Sequence, residues 1–136
     1  METQVRDLMP EDYSPAVWAY IGDAYYELAM RLLTVSAGPK RMSAMHKQTA
    51  HFVRASFQAQ ASHAIDGMLT DEERDVLRRG RNVKCGRVPK SASPTEYRHS
   101  TGLESLIGYL CLTAQEARAM EIVRAIRLLK EDGTCM

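Results

Sequence analysis

The sequence predicts an all-α fold, a helical domain of about five to seven helices. Three observations carry that prediction. Apolar residues recur at intervals of three and four, helix-start signals pairing Ser or Thr with Pro or Glu punctuate the chain, and no segment alternates convincingly as a strand would. At 136 residues, 45% of them hydrophobic and 26% charged, the chain is long enough to bury a core unaided, and one domain over 1–136 is expected.

The elements follow in order. Ser14-Pro15 gives a cap and a first-turn proline, after which Val17, Ile21, Ala24, Leu28 and Leu32 recur at helical spacing until about Ser36-Ala37-Gly38-Pro39. Ser43 opens a second helix running to about Ala64, with Met45, Thr49, Phe52, Ser56 and Ala59 on one side; its many small and polar residues point to a partner or a site nearby. Thr70-Asp71-Glu72-Glu73 is a capping box before a short helix ending near Gly80. Ser93-Pro94-Thr95-Glu96 opens a helix reaching Leu112, and Thr113-Ala114-Gln115-Glu116 opens the last, through Met120, Val123, Ile126 and Leu129.

Composition narrows the setting. Cys85, Cys111 and Cys135 are odd in number and widely spaced, so they make neither a disulfide framework nor a zinc pattern, and a cytoplasmic protein is expected. The acidic start "METQVRDLMPEDY" is no signal peptide, and no run reaches the length of a membrane span. Net charge is +1, but Arg78 to Lys90, "RRGRNVKCGRVPK", holds four arginines and two lysines without an acid. Arg78 and Arg79 suit the C-terminal end of a helix dipole. Arg81, Lys84, Arg87 and Lys90, with Asn82 among them, continue into a Gly/Pro-punctuated loop that no dipole requires, an arrangement suited to phosphate contacts. Arg98, beyond the loop, is a further substrate-side candidate, beside Tyr97.

Two helices carry a carboxylate at the margin of their apolar stripe. Asp23 borders the first-helix stripe of Val17, Ile21, Ala24 and Leu28; Glu104 borders Leu103, Leu106, Ile107 and Leu110. Gly22, Gly102 and Gly108 would let the two helices approach closely and bring Asp23 and Glu104 together. Two carboxylates in a poorly solvated place oblige one to take a proton or a cation to bind between them. Magnesium suits one or two carboxylates plus water and phosphate oxygens, which is the chemistry of phosphodiester hydrolysis. For either acid alone a solvated face remains the plainer reading, and Glu27 equally suits an i,i+4 pair with Arg31. His46, His51 and His63 read as polar-face residues, His99 as structural, and Trp18, Tyr25 and Tyr26 as core or dimer contact.

"YIGDAYYE" at Tyr20 to Glu27, "LRRGRNVK" at Leu77 to Lys84 and "YRHSTGLESLIGYLCL" at Tyr97 to Leu112 together resemble the motifs of Mini-III ribonucleases, the short branch of the ribonuclease III family. The resemblance spans nearly the whole chain. It implies a homodimeric, all-helical, magnesium-dependent endoribonuclease that cuts double-stranded RNA to 5′-phosphate and 3′-hydroxyl ends in maturation of the large-subunit (23S) ribosomal RNA precursor, with room for a ribosomal protein that presents the RNA. It implies that Asp23 and Glu104 serve a catalytic Mg2+, with Thr101 and Glu27 as possible auxiliaries. Ala16, Ala19 and Thr101 stand where the longer enzymes have acids, and the Mini-III branch resembles this chain in lacking them. With no separate double-stranded-RNA-binding domain expected, the catalytic domain would grip RNA itself, mainly by shape and backbone. For the dimer contact, apolar residues of the first helix and the stretch Leu106 to Leu112 are candidates. The missing acids also suit a rival, a non-catalytic helical RNA-binding or ribosome-assembly protein; a helical interaction module without RNA is a second.

Overall fold

The computed structural model describes residues 9–84, 88 and 90–129, and Cys85, Arg87 and Cys135 fall outside them. Six α-helices are described, α1 (Pro15–Ser36), α2 (Met42–Val53), α3 (Ala55–Ala64), α4 (Asp71–Arg81), α5 (Pro94–Leu112) and α6 (Glu116–Arg127), with 3-10 turns at Pro10–Asp12 and Asp66–Met68. The described residues contain no strand, and the all-α expectation holds.

Helix α5 is the axis of the fold. Leu103, Leu106, Ile107 and Leu110 are at most 1% exposed, and α1, α3 and α4 pack around it. Two of these contacts are set by glycine. A Cβ on Gly22 would lie 1.7 Å from the carbonyl oxygen of Glu104, and one on Gly108 would lie 1.7 Å from that of Trp18, so α1 and α5 touch main chain to main chain. The expected close approach at Gly22 and Gly108 is present. Gly102 serves a different neighbour: its Cβ would lie 2.8 Å from the Leu77 carbonyl of α4, and Gly80 of α4 faces the Ser105 side chain in turn. The third glycine therefore seats α4 rather than α1.

Polar ties hold the remaining helices. Trp18 Nε1 donates to the Pro10 carbonyl at 2.9 Å, Ser105 Oγ to Pro15 at 2.9 Å, and Arg127 to Thr34 Oγ1 at 2.7 Å. Arg118 of α6 grips both carboxylate oxygens of the buried Glu73 at 2.9 Å and the Met68 carbonyl at 2.6 Å. The capping boxes at Thr70/Glu73 and Ser93/Glu96 form as expected.

Four sequence expectations are corrected. The buried face of α1 is Trp18, Ala19, Gly22, Tyr26, Ala29, Met30 and Thr34, whereas Val17, Leu28 and Leu32 are 38–55% exposed and Ala24 is exposed too. This helix carries apolar residues on two faces, and periodicity alone selected the outer one. The second helix breaks at Arg54, whose ψ of 141° is extended. The Phe52 and Val53 carbonyls at the break accept instead from Tyr26 Oη at 2.6 Å and Gln58 Nε2 at 3.1 Å, so side chains supply what a continuing helix would have supplied. Thr113 opens no box: it ends α5, its hydroxyl donating to the Tyr109 carbonyl at 2.8 Å, while Ala114 turns left-handed at φ 58° and Gln115 caps α6. Finally, Leu106, Ile107, Gly108, Leu110, Cys111 and Leu112 are core, which removes that stretch as a dimer surface. Trp18 and Tyr26 are core as well.

Candidate active site

The α1–α5 crossing fixes the neighbourhood of both acids. Gly22 rests on the main chain of Glu104, so Asp23, the next residue, is carried to the edge of the same contact. Asp23 and Glu104 meet there through a side-chain hydrogen bond, Asp23 exposed and Glu104 half-buried behind it. Burial first, and then the charge and hydrogen bond of Asp23, push the Glu104 carboxyl up to about 9, against a smaller lowering by the Gln58 amide. At neutral pH the pair thus holds a proton that neither acid would keep alone at its ordinary carboxylate pKa. Burial, with the Glu104 charge second, likewise raises the Tyr26 phenol.

The other acid and hydroxyl predicted for the site are engaged elsewhere. Glu27 accepts from Arg31 at 3.4 Å, the i,i+4 pair that its spacing allowed. Thr101 Oγ1 donates to the Tyr97 carbonyl at 3.0 Å, along its own helix. Among the described residues no group of three or more His, Cys, Asp or Glu comes together. The donor set is therefore two carboxylates. That set, with one acid forced to hold a proton, fits a magnesium ion that keeps several waters, since such an ion needs only one or two protein carboxylates.

Of the predicted basic residues, Asn82, Lys84 and Arg98 line one hollow of about 430 Å3 with Val83, Val88 and Pro94. Arg98 and Glu104 are six residues apart on α5, which places the hollow about 9 Å along the helix from the acids. Lys90 is exposed nearby in sequence, and Arg87 lies outside the described residues. Arg78 is held by Asp75 at 2.5 Å, and Arg79 lies over the Trp18 ring at 5.1 Å, so these two have structural work. Arg81 packs its Cβ against Gly102, and its charge reaches His99. The His99 ring lies tilted against His63 with centroids 4.6 Å apart; burial lowers its pKa, with His63, Arg81 and Arg98 adding to the effect.

Sequence reasoning missed two features. Gln58, 2% exposed, joins the acid pair from α3. Lys40, Lys47, His51 and Arg54 line a wider hollow of about 820 Å3 with no acid among its lining residues. A signal for the second was present: between Glu27 and Asp66 the chain has no Asp or Glu at all. Gln58 was signalled only as one of the many polar residues of the expected second helix, and the break at Arg54 that sets its place was not foreseen.

A helical domain whose central crossing brings two acids together belongs to a recognisable class. Residues 16–115 match the family model of the ribonuclease III domain, and the chain belongs to the ribonuclease III family. Within that family it is similar to Mini-ribonuclease 3 proteins. The one from Symbiobacterium thermophilum is 42% identical over 124 residues, covering 91% of this chain and 95% of the relative. The one from Enterococcus faecalis is 43% identical over 107 residues, covering 77% and 81%. A crystal structure of a protein from Fusobacterium nucleatum superposes with a TM-score of 0.75 at 28% identity, covering 85% of this chain and 93% of that one. Membership sets the reaction class: the chain is an endoribonuclease acting on double-stranded RNA.

Proposed function

We propose that Asp23 and Glu104 are the catalytic pair, that they hold Mg2+, and that the protein cuts duplex RNA to 5′-phosphate and 3′-hydroxyl ends in maturation of the 23S ribosomal RNA precursor in the cytoplasm. The observation that carries this reading is the hydrogen-bonded acid pair at the α1–α5 crossing, whose inner member holds a proton at neutral pH. A divalent cation, when bound, supplies activation of water and relief of charge at the phosphorus. The chain's own residues do the rest. Glu104 stands behind, fixed by its helix; Asp23, exposed, faces the substrate side. Lys84, Arg98 and Asn82 hold the phosphate backbone in their hollow, about 9 Å from the acids and so within reach of the same strand. A ribosomal protein that presents the precursor is compatible with this arrangement.

The same reading includes a homodimer. Val17, Tyr20, Leu28, Leu32 and Val35 are 38–78% exposed along one side of α1, an apolar stripe with Asp23 at its margin. A two-fold pairing over that stripe would set two acid pairs against the two antiparallel strands of a duplex.

Purified protein is expected to cleave long double-stranded RNA in the presence of Mg2+, whereas Asp23→Asn and a chelated control shift the RNA on a gel without cutting it. Wild type that shifts the RNA yet leaves it intact would favour the non-catalytic RNA-binding reading. A second measurement addresses the grip. Lys84→Ala and Arg98→Ala should each flatten the slope of log affinity against log salt by about 0.7 to 0.9 per lost phosphate contact. An unchanged slope removes the hollow from the RNA path.

A further inference from the structure

The acid pair has a third member that titrates nothing. Gln58, on the first turns of α3, is 2% exposed, and its amide is oriented without ambiguity: Nε2 donates to the Val53 carbonyl at 3.1 Å, which only the nitrogen end can do. The Glu104 carboxyl lies beside the same amide, which favours its charged form against the effects of burial and Asp23. The amide thus sits between the carbonyl freed at the α2–α3 break and the inner acid. Its Oε1 is left buried and without a hydrogen-bond partner. An unpaired acceptor at such depth costs free energy unless something completes it, so it is retained where a donor arrives in the working state.

We infer that Gln58 is the positioning residue of the site: it ties Glu104 to the α2–α3 break so that the carboxylate is held beside Asp23, and its free Oε1 accepts from the hydration shell of the cation. The inference rests on the reading of Asp23 and Glu104 as a cation site. Three features of the chain meet in it. The break at Arg54 provides a carbonyl that a continuous helix would have consumed, α3 delivers a neutral side chain where a third carboxylate would add to the repulsion, and α5 presents the acid to be held. A glutamine here also orients without competing for the proton that the pair shares. Groups that orient metal ligands in this manner typically change affinity by about 10-fold to 100-fold when removed.

The test uses the full-length protein without RNA. Thermal midpoints are measured against MgCl2 concentration for wild type, Gln58→Met, Gln58→Glu and Asp23→Asn, with circular dichroism as the check on folding. Gln58→Met, similar in length but without hydrogen bonds, should need about tenfold more Mg2+ for the same rise in midpoint. In parallel cleavage assays kcat should recover at high Mg2+ while KM for RNA is unchanged, a split that a purely structural loss would not produce. Gln58→Glu guards against a Met variant that fails to fold. With a third carboxylate beside the pair, its midpoint without metal should fall and its rise with Mg2+ should exceed that of wild type. Wild-type Mg2+ curves for folded Gln58→Met, or no enlarged rise for Gln58→Glu, overturn the inference while Asp23→Asn still loses its Mg2+ response. If Asp23→Asn keeps the wild-type response, the cation site itself fails, and the role given to Gln58 fails with it.

Discussion

Glu104→Gln is expected to make the metal-free protein more stable at neutral and alkaline pH while lowering cleavage by at least about a hundredfold. The inner carboxyl titrates near 9 in the folded chain against 4.5 in the unfolded one, because burial and then Asp23 disfavour its charge. Between those values the folded state binds a proton that the unfolded state has released. Stability therefore falls as pH rises from about 4.5 to about 9, and the contribution is fully present only below the unfolded value. Glutamine fills the same space, keeps a polar contact for Asp23 and has nothing to ionise, so that slope should vanish. Urea midpoints at pH 5, 7 and 9 in the presence of a chelator would show it: wild type drifting downward, Glu104→Gln holding level. Magnesium should reverse the order above neutrality, lifting wild type and leaving the variant unmoved. Parallel slopes for the two proteins would mean that Glu104 ionises as an ordinary surface acid.

Gly22→Ala is expected to cost more than about 3 kcal/mol, above the usual range for overpacking. The added Cβ would sit 1.7 Å from the Glu104 carbonyl oxygen and 2.8 Å from the Gly108 amide nitrogen, and all of the obstructing atoms are main chain. No rotamer change can relieve a clash of that kind, so α1 and α5 must part, and the polar ties across them, Ser105 to Pro15 among them, go with the movement. Gly67→Ala is the matched control, since its Cβ would meet nothing within 4 Å; it should be neutral or stabilising by a few tenths of a kcal/mol. Chemical denaturation of the pair measures both effects on one scale. Equal midpoints would show that the crossing yields more easily than its main-chain contacts imply.

These two positions are also where the sequence was most legible. A glycine beside an acid on one helix, and an acid four residues before a glycine on another, are visible in the sequence itself, and the structure sets those two glycines against each other. Legibility failed where the deciding partner lay far along the chain. Gly102 looks like its neighbour Gly108, but it points to α4, a choice made by the Leu77 carbonyl. Arg54 is neither Gly nor Pro; the helix stops there because Tyr26 and Gln58 accept the role of capping its carbonyls. On α1 both faces are apolar, so the inner one is defined only by the presence of α5. Basic residues drew attention by clustering in sequence, yet Arg78 and Arg79 are occupied by Asp75 and Trp18, while Lys84 and Arg98, fourteen positions apart, share a hollow.

The reciprocal contact of Gly22 and Gly108 makes the spacing of the two backbone positions that carry the acids a property of the main chain. Most constellations of side chains depend on how the surrounding core is packed, and drift when it is repacked. Here the carbonyls of Trp18 and Glu104 act as stops against which the opposite helix comes to rest. Trading one aliphatic residue for another in the layers above and below should alter stability without altering that spacing. The practical corollary is portability: Gly22 and Asp23 on one helix, with Glu104 and Gly108 on another, form a self-gauging four-residue unit that could be set into any helix pair able to cross at the same depth.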